Sequence, residues 1–323
     1  MNVHNKTKHV AESSSQKTSN GTHGVSLKKF QNYFFVLPVV SILLAVVALV
    51  VWGLKPGIDL KGGALLEVTY PEGRPAVALV QEKVDTLNLG EVRIQPSGEQ
   101  GFILRERVLT QDEKASLDTT LASFGRVEEV QYNSVGPSIG EELIQKSWWA
   151  IGLVTFSIVA FIAFAFRHVS KPVASWKYGV VAIVTLLHDI LIPTGLFAYL
   201  GYARGAEVGA LFIVAILTIL GISINDTIVV FDRIRENLSL NEEKNHTEAF
   251  TDVVWRSIVQ TLTLSVNTSV TVIIMLVALF VLGPVATKDF SLTLIVGMVA
   301  GTYSSIFLAA PLLVLIAKYQ KVD

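Results

Sequence analysis

The chain holds six apolar runs long enough to cross a bilayer, and this feature removes most soluble folds from consideration. A spanning helix needs roughly 20 predominantly apolar residues. Runs of that kind fall at about 33–53, 148–166, 178–200, 208–231, 262–282 and 290–316. Backbone groups inside a bilayer must bond within their own segment, so each run is expected to be a helix. Composition agrees, since 51% of the 323 residues are hydrophobic and only 16% are charged. Lysine and arginine number 26 against 27 aspartates and glutamates, which leaves no global basic excess for nucleic acid. The chain has no cysteine, so disulfides, thiol catalysis and cysteine-ligated metal are excluded.

The ends and connections set an expected topology. Residues 1–32 read as a cytoplasmic tail, rich in Ser, Thr, Asn and His and without periodicity through residue 24, as disordered segments are. The first run ends in "VVWGLKPG" with no A-x-A-like cleavage site, so it reads as a retained anchor rather than a signal peptide. Basic residues cluster at Lys28 and Lys29, at Arg167, Lys171 and Lys177, at Arg233, Arg235, Lys244 and Arg256, and at Lys318 and Lys321. The alternate loops carry one arginine in "GYARGAE" and one lysine in "GPVATKD". The positive-inside rule then puts both termini, the 232–261 loop and the 318–323 tail in the cytoplasm.

That orientation puts 54–147 outside as a small domain. "ALLEVTY", "EVRIQP", "GFILRER" and "RVEEVQYN" read as strands. "RPAVALVQEKVDTL" has apolar residues at helical spacing, and Thr110 with Glu113 makes a capping-box pattern for a second helix. The order βαββαβ predicts a ferredoxin-like α+β sandwich beside the helical membrane part. It contains no phosphate loop, nucleophile–base pair or histidine cluster, so no enzyme, cofactor or metal site is read there.

Three polar constellations interrupt the runs. In "GISINDTIVVFDRIREN" Asp226 lies inside the fourth run. An aspartate near a helix centre costs about 2.5–3.5 kcal/mol on insertion scales. Phe231 lies about five residues on, roughly 7 Å at helical rise, so one reading is a solvated interfacial carboxylate. The other uses its polar company: Ser223 one turn earlier, Asn225 and Thr227 beside it, and Arg233 two turns on. A carboxylate so placed in a bundle can bind and release a proton. The second constellation is "TLLHDILIPTG", with His188 and Asp189 near mid-span. Adjacent residues point about 100° apart, so the two are expected on different faces, as a packing hydrogen bond or as a relay partner for Asp226. The third is "QTLTLSVNTSVT", where Thr261, Ser265 and Thr268 make one polar line and Thr263, Asn267 and Thr271 another. Two such lines favour a helix facing a polar interior, although hydroxyls can also back-bond to their own helix. In "GMVAGTYSS", Gly297, Gly301 and Ser305 recur every fourth residue, a spacing that permits close helix approach.

These stretches, in order, resemble the SecF family of bacterial protein-export membrane subunits, within the resistance–nodulation–division superfamily. The resemblance rests on "GIDLKGGALLEV", "SVGPSIGEEL", "HDILIPTG", "GISINDTIVVFDRIREN" and "GTYSSIFLAAPLL", and covers about residues 57–313. It implies motif positions at Gly57, Asp59, Gly62, Gly63, Gly136, Pro137 and Gly140, and an ion-coupling aspartate at Asp226. It implies a SecD partner, the SecYEG translocon, the SecA motor, a YajC-like accessory subunit, unfolded exported polypeptides and the lipids of a bacterial inner membrane. It implies use of the proton or sodium gradient to promote late translocation. One departure stands out: where relatives often carry an arginine in "QTLSRT", this chain has Leu264. The residues alone also admit a small-molecule or lipid transporter half and a non-coupling scaffold of the translocon.

Overall fold

The structure, a computed structural model, describes residues 35–166, 173–243 and 248–320. The whole N-terminal tail, 1–32, lies outside the described residues, as do Lys28, Lys29, Arg167, Lys171, Lys244 and Lys321 of the orientation argument.

Five helices are long and apolar enough to cross a membrane, so the chain is a multi-span helical membrane protein. Three of these are α5 (Pro137–Ala165), α6 (Ser175–Arg204) and α7 (Ala210–Glu243). The fourth is α8 (Phe250–Leu282). The fifth is interrupted: α9 (Val285–Ser304) passes through a π-helical turn at Ser305–Ala309 into α10 (Ala310–Gln320). The first apolar run forms the shorter helix α1 (Val36–Trp52), of 17 residues.

Several boundaries differ from the hydropathy reading, for one shared reason. Hydropathy marks the segment matched to hydrocarbon, whereas a helix continues wherever one of its faces is packed. Helix α5 starts at Pro137 rather than near 148, with proline in the first turn, where its missing N–H costs nothing. The expected 232–261 loop is largely helix, because α7 and α8 extend past the apolar zone. Ile234, Val253 and Val254 are buried there, and the Asn237 amide donates to Ser257 Oγ and Gln260 Oε1, each at 2.8 Å.

Between α1 and α5 the chain forms a separate small layer. A short helix α2 (Ile58–Lys61) leads into β1 (Gly63–Thr69). Helix α3 (Val77–Asp85), strands β2 (Arg93–Ser97) and β3 (Gly101–Glu106), helix α4 (Gln111–Ala122) and strand β4 (Glu128–Val135) follow. The sheet order is β2-β3-β1-β4 with every pair antiparallel, Leu66 opposite Leu104 and Val68 opposite Phe102. Those four side chains share a face and bury against Val80, Val84, Leu117 and Leu121 of the two helices. Full burial of each Leu, Val or Phe stabilises by about 1.5–3 kcal/mol. Helix α4 opens with the expected capping box, Thr110 accepting from Glu113 N and Glu113 accepting from Thr110 N.

The motif residues at 57–63 and 136–140 hold this layer on the helix ends. Gly57 N donates to Val208 O, and Val208 N donates to Lys55 O, each at 2.8 Å. Asp59 Oδ2 accepts from Ala210 N at 2.9 Å, which caps the start of α7. Gly62 has φ +77°, and a Cβ on it would fall 2.7 Å from Pro137 Cα. A Cβ on Gly140 would fall 2.7 Å from Leu60 O, so α2 and the first turns of α5 touch backbone to backbone. Gly63 lies against Glu106 O, whereas Gly136 has open space and serves as the N-cap of α5.

Candidate functional site

Helix α6 carries His188 and Asp189 at its buried centre, Asp189 being 0% exposed. Their side chains meet, His188 Nδ1 lying 2.7 Å from Asp189 Oδ1, although adjacent positions were expected to diverge. The ring nitrogen nearest the backbone reaches sideways far enough to close the 100° gap. Asp189 Oδ2 accepts from Ser304 Oγ of α9 at 2.9 Å and, over a short contact, from Ser223 Oγ of α7. Both oxygens of this buried carboxyl group are therefore satisfied by side chains from three helices.

His188 continues the chain of polar groups. Its Nε2 lies 2.9 Å from Tyr303 OH, and Tyr303 OH lies 2.9 Å from Ser41 Oγ of α1. One wiring satisfies every group when Asp189 is ionised. His188 Nδ1–H donates to Asp189, Tyr303 O–H donates to His188 Nε2, and Ser41 O–H donates to Tyr303. That line runs Ser41–Tyr303–His188–Asp189 across α1, α9 and α6, and a proton can pass along it by exchange of partners.

Asp226 is 7% exposed, on the bundle side of α7, with the Ser269 hydroxyl of α8 beside its carboxyl group. Thr302 Oγ1 donates to Ser269 Oγ at 2.7 Å. The two carboxyl groups thus belong to one polar cluster, joined through α9. Its consecutive residues Thr302, Tyr303 and Ser304 serve Ser269, His188 and Asp189 respectively, as helical rotation allows.

The other expected site residues divide. Ser223 bonds Asp189 rather than Asp226. Thr227 is buried and returns its hydroxyl to Ser223 O at 3.2 Å, so it does not serve the carboxylate. Asn225 is exposed on the far side of α7, one residue from Asp226 but about 100° away. Arg233 pairs with Glu236 at 2.7 Å. On α8, Thr261, Ser265 and Ser269 are buried, whereas Thr263, Asn267, Thr268 and Thr271 are exposed, so only one polar line faces inward. Leu264 is 56% exposed and also points outward, so an arginine at this position would not sit in the cluster of the isolated chain. Gly297 packs on Ile219, and a Cβ on Gly301 would come 3.1 Å from Ser223 Cβ, so the small residues of α9 set Ser223 beside Asp189. Ser305 is buried, donates to Thr302 O at 3.1 Å and begins the π turn.

Tyr303, Ser304, Thr302, Ser269 and Ser41 enter the cluster as well, although none of them stands out in the sequence as a charged residue does. A signal was available for three of them: "GTYSS" sets four hydroxyls in a row within an apolar run, more than close packing requires.

Fold and site together define a class, a multi-span membrane protein with two ionisable carboxyl groups wired into the centre of its bundle. Residues 116–319 match the family described as "Protein export membrane protein SecD/SecF, C-terminal". The protein translocase subunit SecF of Thermobaculum terrenum is 40% identical over 303 residues, covering 90% of this chain and 93% of that relative. SecF of Anaerolinea thermophila is 35% identical over 286 residues, covering 87% and 91%. The chain belongs to the SecF family of protein translocase subunits. Among solved structures, SecDF from Thermus thermophilus, a translocon-associated membrane protein, matches with a TM-score of 0.78 at 30% identity over 91% of this chain. A super-membrane-facing form of SecDF matches with a TM-score of 0.63 at 31% identity over 90% of this chain. The chain spans 38% and 39% of the length of those two SecDF chains.

Proposed function

We propose that this chain is the ion-coupling SecF half of a SecD–SecF pair in the Sec translocase. In this role it uses the proton or sodium gradient across a bacterial inner membrane to promote late translocation and release of exported polypeptides. The carrying observation is the line Ser41–Tyr303–His188–Asp189, with Asp226 beside Ser269, whose hydroxyl partner Thr302 is the neighbour of Tyr303 in α9. Ionisable groups within a spanning bundle are costly and characteristically mark ion pathways. No covalent chemistry is required of the chain.

The outward polar residues favour a second membrane half as partner. Asn225, Thr263, Asn267 and Thr271 are exposed on two spanning helices. Amides left against hydrocarbon are unfavourable, and packing by another helical half removes that cost. The solved SecDF chains, much longer than this one, are consistent with such a half. In this reading α1 is a sixth span, both termini are cytoplasmic, and the β2-β3-β1-β4 sheet with two helices is a ferredoxin-like domain outside. SecYEG, SecA and a YajC-like subunit are the further partners.

The test is gradient-dependent export into inner-membrane vesicles carrying the chain with SecD. Asp226→Asn and Asp189→Asn are each expected to lower gradient-stimulated export at least tenfold at normal subunit levels. Export unchanged in both variants removes the carboxylates from the mechanism and leaves a scaffold.

A further inference from the structure

Outside the membrane part, Glu106 is the most anomalous side chain. It closes β3 on the sheet face that packs against the helices, is 6% exposed, and neither carboxyl oxygen has a hydrogen-bond partner. A buried ionised carboxylate without partners is strongly disfavoured, and the group binds a proton instead. Burial, aided by the nearby negative charge of Asp118, pushes the Glu106 carboxyl up to about 7 against the opposing charges of Lys114 and Arg107.

Its surroundings explain why no cation neutralises it. Lys114 of α4 is held by Asp118 at 2.8 Å and by Glu129 of β4 at 2.7 Å. Arg107, in the turn after β3, is held by Glu113. Across the sheet, Arg105 pairs with Glu207 at 3.1 Å and Arg93 pairs with Glu91 at 2.8 Å. The end of β3 also borders a cavity of about 180 Å³ lined by Lys61 and Gly62 of the α2 segment together with Arg93, Arg105, Glu91 and Glu207.

Position gives the anomaly its consequence. Glu106 is the register partner of Ala64, the second residue of β1. A Cβ on Gly63 would lie 2.8 Å from Glu106 O, so β1 leaves α2 directly against this residue. The α2 segment is a main seat of the small domain, holding α5 through Leu60 and Gly140 and capping α7 through Asp59, with the Arg105–Glu207 ion pair as a further tie. A charge forming on Glu106 has to reach water or a cation, and Glu106, at the end of β3, is itself among the residues that line the open cavity beside Lys61.

We propose that Glu106 is a proton-binding site of the small domain: protonated, it keeps the domain seated on α2, and on ionising it moves toward the Lys61 cavity and loosens that seat. The ligand is the proton of the compartment that the domain faces. The site is separate from the carboxylates of the bundle, and Asp226→Asn leaves its behaviour unchanged.

The chain has no cysteine, so one introduced thiol reports without background. Leu60→Cys places it at the buried seat, and Glu72→Cys gives an exposed reference that corrects for thiolate ionisation. Maleimide labelling of the full-length chain in lipid nanodiscs is followed from pH 6 to pH 8. With a midpoint of about 7 the ionised fraction climbs from about a tenth to about nine tenths. The ratio of seat to reference labelling is then expected to rise roughly ninefold in the parent and to stay flat in Glu106→Gln. A parent ratio constant within about twofold, or an equal rise in Glu106→Gln, overturns the proposal. If Glu106→Gln fails to accumulate, Glu106→Leu replaces it. Infrared difference spectra in an Asp189→Asn, Asp226→Asn background give a second readout. Loss of a protonated-carboxyl band over the same pH range supports the site, and absence of the band overturns it.

Discussion

Asp189 shows how a single carboxyl group can be wholly buried and still be tolerated: three side chains donate to it, and each comes from a position that packing fixes. Removing one donor leaves a buried acceptor short of a partner, which costs about 1–3 kcal/mol. Ser304→Ala is therefore expected to lower the stability of the purified chain by that amount in detergent denaturation, and Ser223→Ala by a similar amount. Tyr303→Phe tests wiring rather than stability. It keeps the ring against His188 and removes only the hydroxyl between Ser41 and Nε2. Gradient-stimulated export is expected to fall several-fold at unchanged subunit level, with Ser41 Oγ, 3.4 Å from Nε2, left as the donor nearest the ring, and unaltered export would take the tyrosine out of the relay. The residues differ in how readily they show in the sequence. A charge in an apolar run announces itself, so His188, Asp189 and Asp226 are legible. A hydroxyl does not, because it can satisfy itself on its own helix, as Thr268 and Thr271 do. Which face of a helix turns inward is a tertiary fact, and this is why Asn225 and Leu264 fall outside a cluster that their neighbours enter.

At the scale of elements, the apolar runs located the spanning helices and left their ends open, since the extensions of α5, α7 and α8 are held by packing and not by lipid. The contact of α1 with α6 is set by Gly195, where a Cβ would come 2.5 Å from Ala45 Cα and 2.8 Å from Ala45 O. Overpacking of this kind costs about 1–3 kcal/mol. Gly195→Val is expected to push α1 away, carry Ser41 from Tyr303, and combine a lower unfolding midpoint with weakened coupling. Helix α4 tests a different force. The Glu113 carboxyl is held down to about 2, first by the Arg107 guanidinium and then by the Thr110 N–H. A depressed carboxyl stabilises fully above its ordinary value of 4.5, and that contribution disappears as pH falls through about 2. The stability gap between the parent and Glu113→Gln should accordingly close over that interval in acid denaturation. Thr110→Ala, which removes the other half of the box, should cost about 0.5–2 kcal/mol.

The whole molecule poses the question of what covers its outer face. Helix α8 turns Leu264, Asn267 and Thr271 outward, and α7 turns Asn225 outward, while the carboxylates lie inside. An arginine at 264 in the chain alone would meet lipid near a helix centre, at a cost of about 2.5–3.5 kcal/mol on insertion scales. Against a second half that presents a carboxylate, the same arginine would be paired. Leu264→Arg thus separates two descriptions of the molecule. If the chain works as one half of a pair, the variant is expected to be destabilised or degraded when expressed alone and to recover normal levels when SecD is co-expressed. A thiol at Asn267 should then cross-link to SecD and to no other membrane protein. If the outer face meets only lipid, co-expression makes no difference and the cross-link is absent. Quantitative immunoblotting with and without SecD decides between them, because in the paired case the residue that looks like a missing counter-ion within the chain lies on the surface where the partner would supply or receive that charge.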